Sequence, residues 1–253
     1  MYNPIVCFPV YSQTVFPKAV ECIQSLYAGS LKPKHICVMD NSGGDFAIYY
    51  RGKDSPNNLP RIEITTFQKG IGLTGTWNYA FERFDKEPYL FLPGDDCVFH
   101  HDTLADMVQE LETNPDAMIV YPGKVTDPPD KTMSPWSFFA QRRELYNLIG
   151  PYDQNFLVFF ADNCAAYRMK LAGLNLDKVI VPVNTTSGHW GSYTVKTMAG
   201  EVQRTHNKYW HFNEEYYHHK WGGGPNREIF TVEFGGGNKE QIIESLKRKH
   251  GIA

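Results

Sequence analysis

Short apolar runs rich in β-branched and aromatic residues recur along the first half of the chain, with helix-period stretches between them. Pro4 to Val10, His35 to Met39, Arg61 to Thr66, Pro88 to Leu92 and Ala117 to Tyr121 read as strands. Val15, Ala19, Cys22, Ile23 and Leu26 recur at helical spacing, with Thr14 as N-cap and Pro17 tolerated in the first turn. Leu73, Trp77, Ala80, Phe81 and Phe84 mark a second helix, and Asp102-Thr103 opens a third around Leu104, Val108 and Leu111. This alternation makes βαβ units, hence an α/β fold with a mainly parallel central sheet flanked by helices. Ligands of such sheets bind beyond the carboxyl ends of the strands.

Two acidic clusters fall at those ends: Asp40, which begins Asp40-Asn41-Ser42-Gly43-Gly44, and the adjacent pair Asp95-Asp96 after Leu92-Pro93-Gly94. Neighbouring carboxylates repel, and Asp is a poor strand former. The pair reads either as a turn or as a holder for a divalent cation beside a substrate diphosphate, since such a cation would relieve the repulsion. Gly70-Ile71-Gly72-Leu73-Thr74-Gly75 lacks a Walker lysine and follows the third strand, not the first. It reads as a loop feeding a helix N-terminus, suited to a phosphate or ribose.

After Tyr121 the rhythm breaks. Pro122 to Pro135 reads as a loop, Phe138 to Gln141 as a strand and Glu144 to Ile149 as a short helix closed by Gly150-Pro151. Asp162 to Leu171 reads as a helix ended by Gly173, and Lys178 to Val183 as a strand. From Trp190 the chain is irregular, aromatic and His-rich until Lys239 to Lys249 offers an amphipathic helix. The expected organisation is a domain over 1–195 with an extension over 196–253 packing on it. His100-His101 and His218-His219 are not ligand pairs if they lie on strands, where neighbours face opposite ways.

The net charge of −3 over 253 residues argues against a nucleic-acid partner. Five scattered cysteines without a C-x-x-C pair fit reduced thiols in the cytoplasm. No run approaches the ~20 apolar residues of a transmembrane segment, and the first twelve residues lack the basic region of a signal peptide. The expectation is a cytoplasmic protein.

The order of motifs resembles the GT-A nucleotide-diphospho-sugar glycosyltransferases of family 2, which invert at the sugar. Pro9-Val10-Tyr11 matches the pattern that closes their first strand, and Asp40-Asn41 the acidic end of their second. Lys69-Gly70 through Asn78 matches an N-x-G-x(n)-N segment with Lys69 as its first residue, and Gly94-Asp95-Asp96 matches D-x-D with Gly in its first place. Leu148 to Phe156 resembles x-x-G-x-F-D-E-x-F, and Ala161 to Arg168 resembles E-D-x-D-x-x-x-R, with Ala161 for Glu and Cys164 at the second acidic place. His189-Trp190-Gly191-Ser192 resembles a His-x-Gly-Ser element, and Tyr216 to Gly223 a Y-x-x-K-W-G segment.

The resemblance implies a Rossmann-like fold and a UDP-, GDP- or dTDP-sugar donor. It implies a glycan or glycoconjugate acceptor and a divalent cation, Mn2+ or Mg2+. Asp162 would be the general base that deprotonates the acceptor hydroxyl. Donor contacts would come from Pro9, Tyr11, Asp40 (to the nucleobase), Asn41, Lys69, Gly70, Asn78, Asp95, Asp96, Arg168 and Lys220, and metal ligands from Asp96, Asp95 and His189. Bland readings stand beside these: Asp162 as a helix N-cap, and Trp136, Phe138 and Phe139 as core instead of a sugar platform. A nucleotidyltransferase would carry a Gly-rich basic loop after the first strand, where this chain has Pro9-Val10-Tyr11-Ser12-Gln13. A carbohydrate-binding or degenerate transferase-like module is the non-enzyme alternative, favoured by Ala161.

Overall fold

The computed structural model describes residues 2–52, 62–125, 134–156, 159–189 and 201–252, and only the backbone of Val125, His189 and residues 201–206. The first part is a run of strand–helix units: β1 (Ile5–Val10), α1 (Phe16–Ala28), β2 (His35–Asp40), α2 (Asp45–Gly52), β3 (Ile62–Thr66), α3 (Gly72–Arg83) and β4 (Tyr89–Pro93). These four strands pair in parallel in the order β3-β2-β1-β4. β5 (Cys97–Phe99), α4 (Thr103–Thr113), β6 (Ile119–Val125), β7 (Phe138–Arg142), α5 (Arg143–Ile149) and α6 (Ala161–Leu171) follow. The chain then forms α7 (Leu176–Val179), β8 (Ile180–His189), α8 (Glu201–Trp221) and α9 (Lys239–His250).

Among the described residues the sheet has eight strands, continuing from β4 as β7-β6-β8-β5. β7 runs antiparallel to both neighbours and β5 antiparallel to β8, while β6 and β8 are parallel. Four of the seven pairings are therefore parallel. Strand alternation sends Val6, Phe8, Val10, Tyr89 and Phe91 to one face, where they meet α1, Phe46 of α2 and α4. Ile5, Cys7, Leu90 and Leu92 face the other way, into a cluster with Trp77, Phe139, Phe156 and Cys164. Phe212, Tyr216, Tyr217 and Trp221 of α8 and Leu246 of α9 belong to that second cluster.

The sequence reading differs from the structure in several elements: Lys178 and Val179, read as strand, lie in α7, and β6 runs to Val125 through residues read as loop. α2 and β5 fall where it placed no element. α8, 21 residues long, occupies the stretch read as irregular. Its buried residues Phe212, Asn213, Tyr216, Tyr217, Lys220 and Trp221 repeat at helical spacing, but two of them are polar, which hides the apolar stripe. His218 and His219 are thus helix neighbours, not strand neighbours. Thr14 lies in a 3-10 turn, and the N-cap of α1 is Val15. Residues 126–133 of the Pro-rich loop and Trp190-Gly191-Ser192 lie outside the described residues.

Candidate active site

β1 and β4 part toward their carboxyl ends, the crevice position at which open α/β sheets bind ligands. β1 pairs with β2 along its whole length but with β4 only at Ile5–Leu90 and Val6–Phe91. Pro9, which has no N–H for a ladder, sits in the parted stretch. Tyr11 follows it, with a hydroxyl that is buried and has no hydrogen-bond partner. Thr76 is close, but its hydroxyl proton goes to the Leu73 carbonyl (2.6 Å). Burial, with the Asp95 charge adding to it, pushes the Tyr11 phenol up.

The end of β4 forms one wall. Gly94 donates its N–H to the Ser137 carbonyl (3.0 Å), and Cys97 N–H returns to the Gly94 carbonyl (3.4 Å), closing the turn that carries Asp95 and Asp96. A Cβ at Gly94 would lie 3.1 Å from Asp96 Oδ1 and 3.4 Å from the Ser137 carbonyl. A side chain at Gly94 would therefore press on the Asp96 carboxylate, which would have to give by a few tenths of an ångström. Asp95 and Asp96 are only 8% and 6% exposed. Asp95 Oδ2 has no hydrogen-bond partner, and burial, then the charge of Asp96, holds the Asp95 carboxyl well above the usual carboxylate range. The backbone of His189 pairs with Cys97 across β5 and β8, one residue beyond Asp96. Its side chain lies outside the described residues.

The end of β2 forms the other wall. Asn41 Oδ1 accepts the Ile71 N–H (2.8 Å), and a Cβ at Gly70 would come within 3.2 Å of the Asn41 carbonyl. Asn41 thereby pins the loop before α3, whose Lys69 and Gly70 are exposed at the rim. Asp40 lies beneath. It is fully buried; Oδ1 accepts from both the N–H (2.9 Å) and the hydroxyl of Ser42, and Oδ2 accepts the Ala47 N–H (3.1 Å).

Asp162 stands in the first turn of α6. The N-cap there is Phe160, in the left-handed region at φ 63° and ψ 0°, so Asp162 is not the capping residue. Its Oδ1 accepts the Asn163 N–H (2.9 Å), and burial, opposed by that bond, raises its carboxyl above the ordinary value. A carboxylate raised above its ordinary value is a stronger base than a free one.

Four residues read as donor contacts make polar contacts within the protein. Asp40 bonds within its own turn and to the start of α2. Asn78 is buried and bonds the Tyr152 backbone twice, Nδ2 to the carbonyl and Oδ1 from the N–H, both at 2.8 Å. Arg168 donates to the Pro151 carbonyl (2.7 Å) and braces the turn at Gly150, whose φ is +73°. Lys220 is buried against Asp153 and against Glu233 (2.9 Å). Tyr216 and Asn155 also bond Asp153, at 2.7 and 2.9 Å. Burial alone would raise Asp153, but the Lys220 charge and these bonds outweigh it and hold it at about 2. The contacts of Asn78, Arg168 and Lys220 converge on the segment from Gly150 to Phe156.

A separate cleft of about 530 Å³ on α8 and α9, lined by His211, Glu214, Glu215, His218, His219 and His250, contains none of these residues. Among the described residues no group of three or more His, Cys, Asp or Glu could hold a metal ion.

Residues 5–173 match the family model described as Glycosyl transferase family 2. The chain belongs to that family. No curated protein matches the sequence. Solved structures with a similar fold include the mannosyltransferase PcManGT from Pyrobaculum calidifontis in complex with GDP-Man and Mn2+, at 17% identity and TM-score 0.58, covering 81% of this chain and 61% of that one. S. aureus TarS 1-349 matches at 14% identity and TM-score 0.53, covering 76% and 59%. GalNAc-T7 with UDP, GalNAc and Mn2+ matches at 10% identity and TM-score 0.53, covering 98% and 55%. The chain thus spans 55 to 61% of the length of these structures. The family match covers both walls of the crevice and Asp162, and it stops before α8. No helix among the described residues is long and apolar enough to cross a membrane.

Sequence reasoning missed Asn41 as the anchor of the rim loop and Phe160 as the strained start of α6. Asn41 had been read only as a donor contact. No local signal marks Phe160, because a left-handed residue is foretold by Gly or Asn, not by Phe.

Proposed function

We propose that this family member transfers a sugar from a nucleoside-diphosphate donor to an acceptor hydroxyl of a glycan, with inversion. The observation that carries the reading is the Asp95-Asp96 pair: two desolvated carboxylates at a strand end, one oxygen of which has no partner. A plain turn needs neither feature. Two carboxylates suit Mn2+ or Mg2+, which complete their shell with phosphates and water. Such a cation at Asp95 and Asp96, with His189 of the neighbouring strand as a third candidate ligand, would offset charge on the departing diphosphate. The complexes of PcManGT with GDP-Man and Mn2+, and of GalNAc-T7 with UDP, GalNAc and Mn2+, support this chemistry.

The chain's own groups do the rest. Tyr11, Asn41, Gly70 and Lys69 line the donor side, over a floor held by Pro9 and Asp40. Asp162 takes the proton of the acceptor hydroxyl as its oxygen attacks the anomeric carbon. The bond from that carbon to the diphosphate oxygen breaks, and the nucleoside diphosphate leaves with the electron pair. One displacement from the opposite face inverts the centre. Asn78, Arg168 and Lys220 act at one remove, by fixing the Gly150 to Phe156 segment. Five unpaired cysteines fit the reducing cytoplasm.

The test is release of nucleoside diphosphate from UDP-, GDP- and dTDP-sugars, with and without Mn2+ and a glycan acceptor. Cation-dependent, acceptor-stimulated release is expected from at least one donor. A protein that binds donor yet releases no diphosphate under any of these conditions is a binding module, and the reading fails.

A further inference from the structure

The residue that starts the helix of the base is held in an unusual conformation by a helix outside the family match. Phe160 is one of three non-glycine residues with positive φ among those described. No side chain caps α6 there, and the Phe160 carbonyl accepts the first helical bond, from Cys164 N–H (2.9 Å). Its φ therefore sets the direction in which the first turn leaves the loop, and Asp162 lies two residues on. L-residues with a bulky side chain occupy the left-handed region only when their surroundings hold them there.

Those surroundings come from α8. Trp210 and Tyr217, seven residues and thus two turns apart, lie on one face of the helix. The Phe160 ring packs between them, with centroids 5.4 Å from Trp210 and 5.6 Å from Tyr217. Trp210 also meets Phe159 edge-on at 4.6 Å. Tyr217 is fixed in turn by its hydroxyl bond to Glu228. We infer that Trp210 and Tyr217 are positioning residues for the transfer reaction: they clamp Phe160 in its left-handed conformation and so aim Asp162 at the acceptor hydroxyl. The inference rests on Asp162 being the base.

Trp210 is 42% exposed, so its loss removes the clamp with little damage to the core. Trp210→Ala is expected to lower kcat by roughly 10- to 100-fold, the scale of a misplacement near 1 Å, with donor KM within about twofold of wild type. Trp210→Phe, which keeps a ring, should retain most activity. The deciding step is a double-mutant cycle. Glycine adopts the left-handed region freely, so in a Phe160→Gly background Trp210→Ala should cost no more than about twofold further. Phe160→Asn serves the same purpose if glycine loosens the start of α6.

A Trp210→Ala enzyme at full kcat, or one that loses the same factor in both backgrounds, overturns the inference. Where wild type transfers and Asp162→Asn does not, such a result removes the clamp and leaves the base. A wild-type chain that transfers nothing overturns both.

Discussion

At the scale of single residues, the departures from the family's motifs have physical causes. Gly94 stands where D-x-D begins, and a Cβ there would lie 3.1 Å from Asp96 Oδ1 and crowd that carboxylate. The sequence carried Asp95 and Asp96 to the right end of the right strand, since an apolar run closed by Pro-Gly is a local signal. It did not show that the Asp40 carboxylate bonds to Ser42 and to the Ala47 N–H. Donors from Ser42 and Ala47 are local too, but only the fold of α2 brings the Ala47 N–H round to it. Asp95 offers a test at this scale. Its raised carboxyl means that ionisation opposes folding when no cation is bound, so its cost grows as pH rises above the ordinary Asp value. Asp95→Asn should therefore raise the metal-free melting temperature at pH 7 while abolishing the Mn2+-dependent stabilisation by donor. A thermal-shift series with and without Mn2+ reads both effects.

At the scale of elements, strands buried on both faces were legible because they are continuous apolar runs. α8 was not, because its inward face carries Lys220 and Asn213 among aromatics. A buried lysine makes sense only with its partners, and Asp153 lies 67 residues away. Removing one partner leaves a buried charge unpaired, which costs about 3–5 kcal/mol. Lys220→Met should be destabilised by that order, and adding Asp153→Asn should recover much of it. Asp153 also sets a pH window. Its folded value of about 2 lies below the ordinary value, so its contribution is complete above the unfolded value and fades as pH falls toward 2. The shift is worth about 2 kcal/mol. Urea unfolding of wild type between pH 5 and 2 should show that loss. The Lys220→Met protein should lack it and should gain stability on acidification as Asp153 is neutralised.

At the scale of the whole molecule, the parallel half, β3-β2-β1-β4, followed from the βαβ rhythm. The other half did not: β7 inserts between β4 and β6, and β5 pairs with β8 some 90 residues later, so neither pairing has a local signal. The same holds for the second layer, where Phe212, Tyr216, Tyr217 and Trp221 share a cluster with Trp77 and Phe156. A chain ended at residue 195 would expose that apolar face. It should lose cooperative thermal unfolding and aggregate, as seen by near-ultraviolet circular dichroism and light scattering. A soluble, cooperatively melting fragment would mean that the extension is not part of this core.

The central claim is that Asp162 moves a proton and does not merely start a helix. Phe160, not Asp162, occupies the cap, so Asp162→Asn changes charge with little change in fold. The decisive measurement is the rate of sugar transfer by Asp162→Asn beside its melting temperature and donor affinity. Transfer should fall by roughly 10²- to 10⁴-fold, with the other two near wild type. A mutant that keeps its turnover per folded molecule, or loses donor binding and stability together with transfer, would contradict the account.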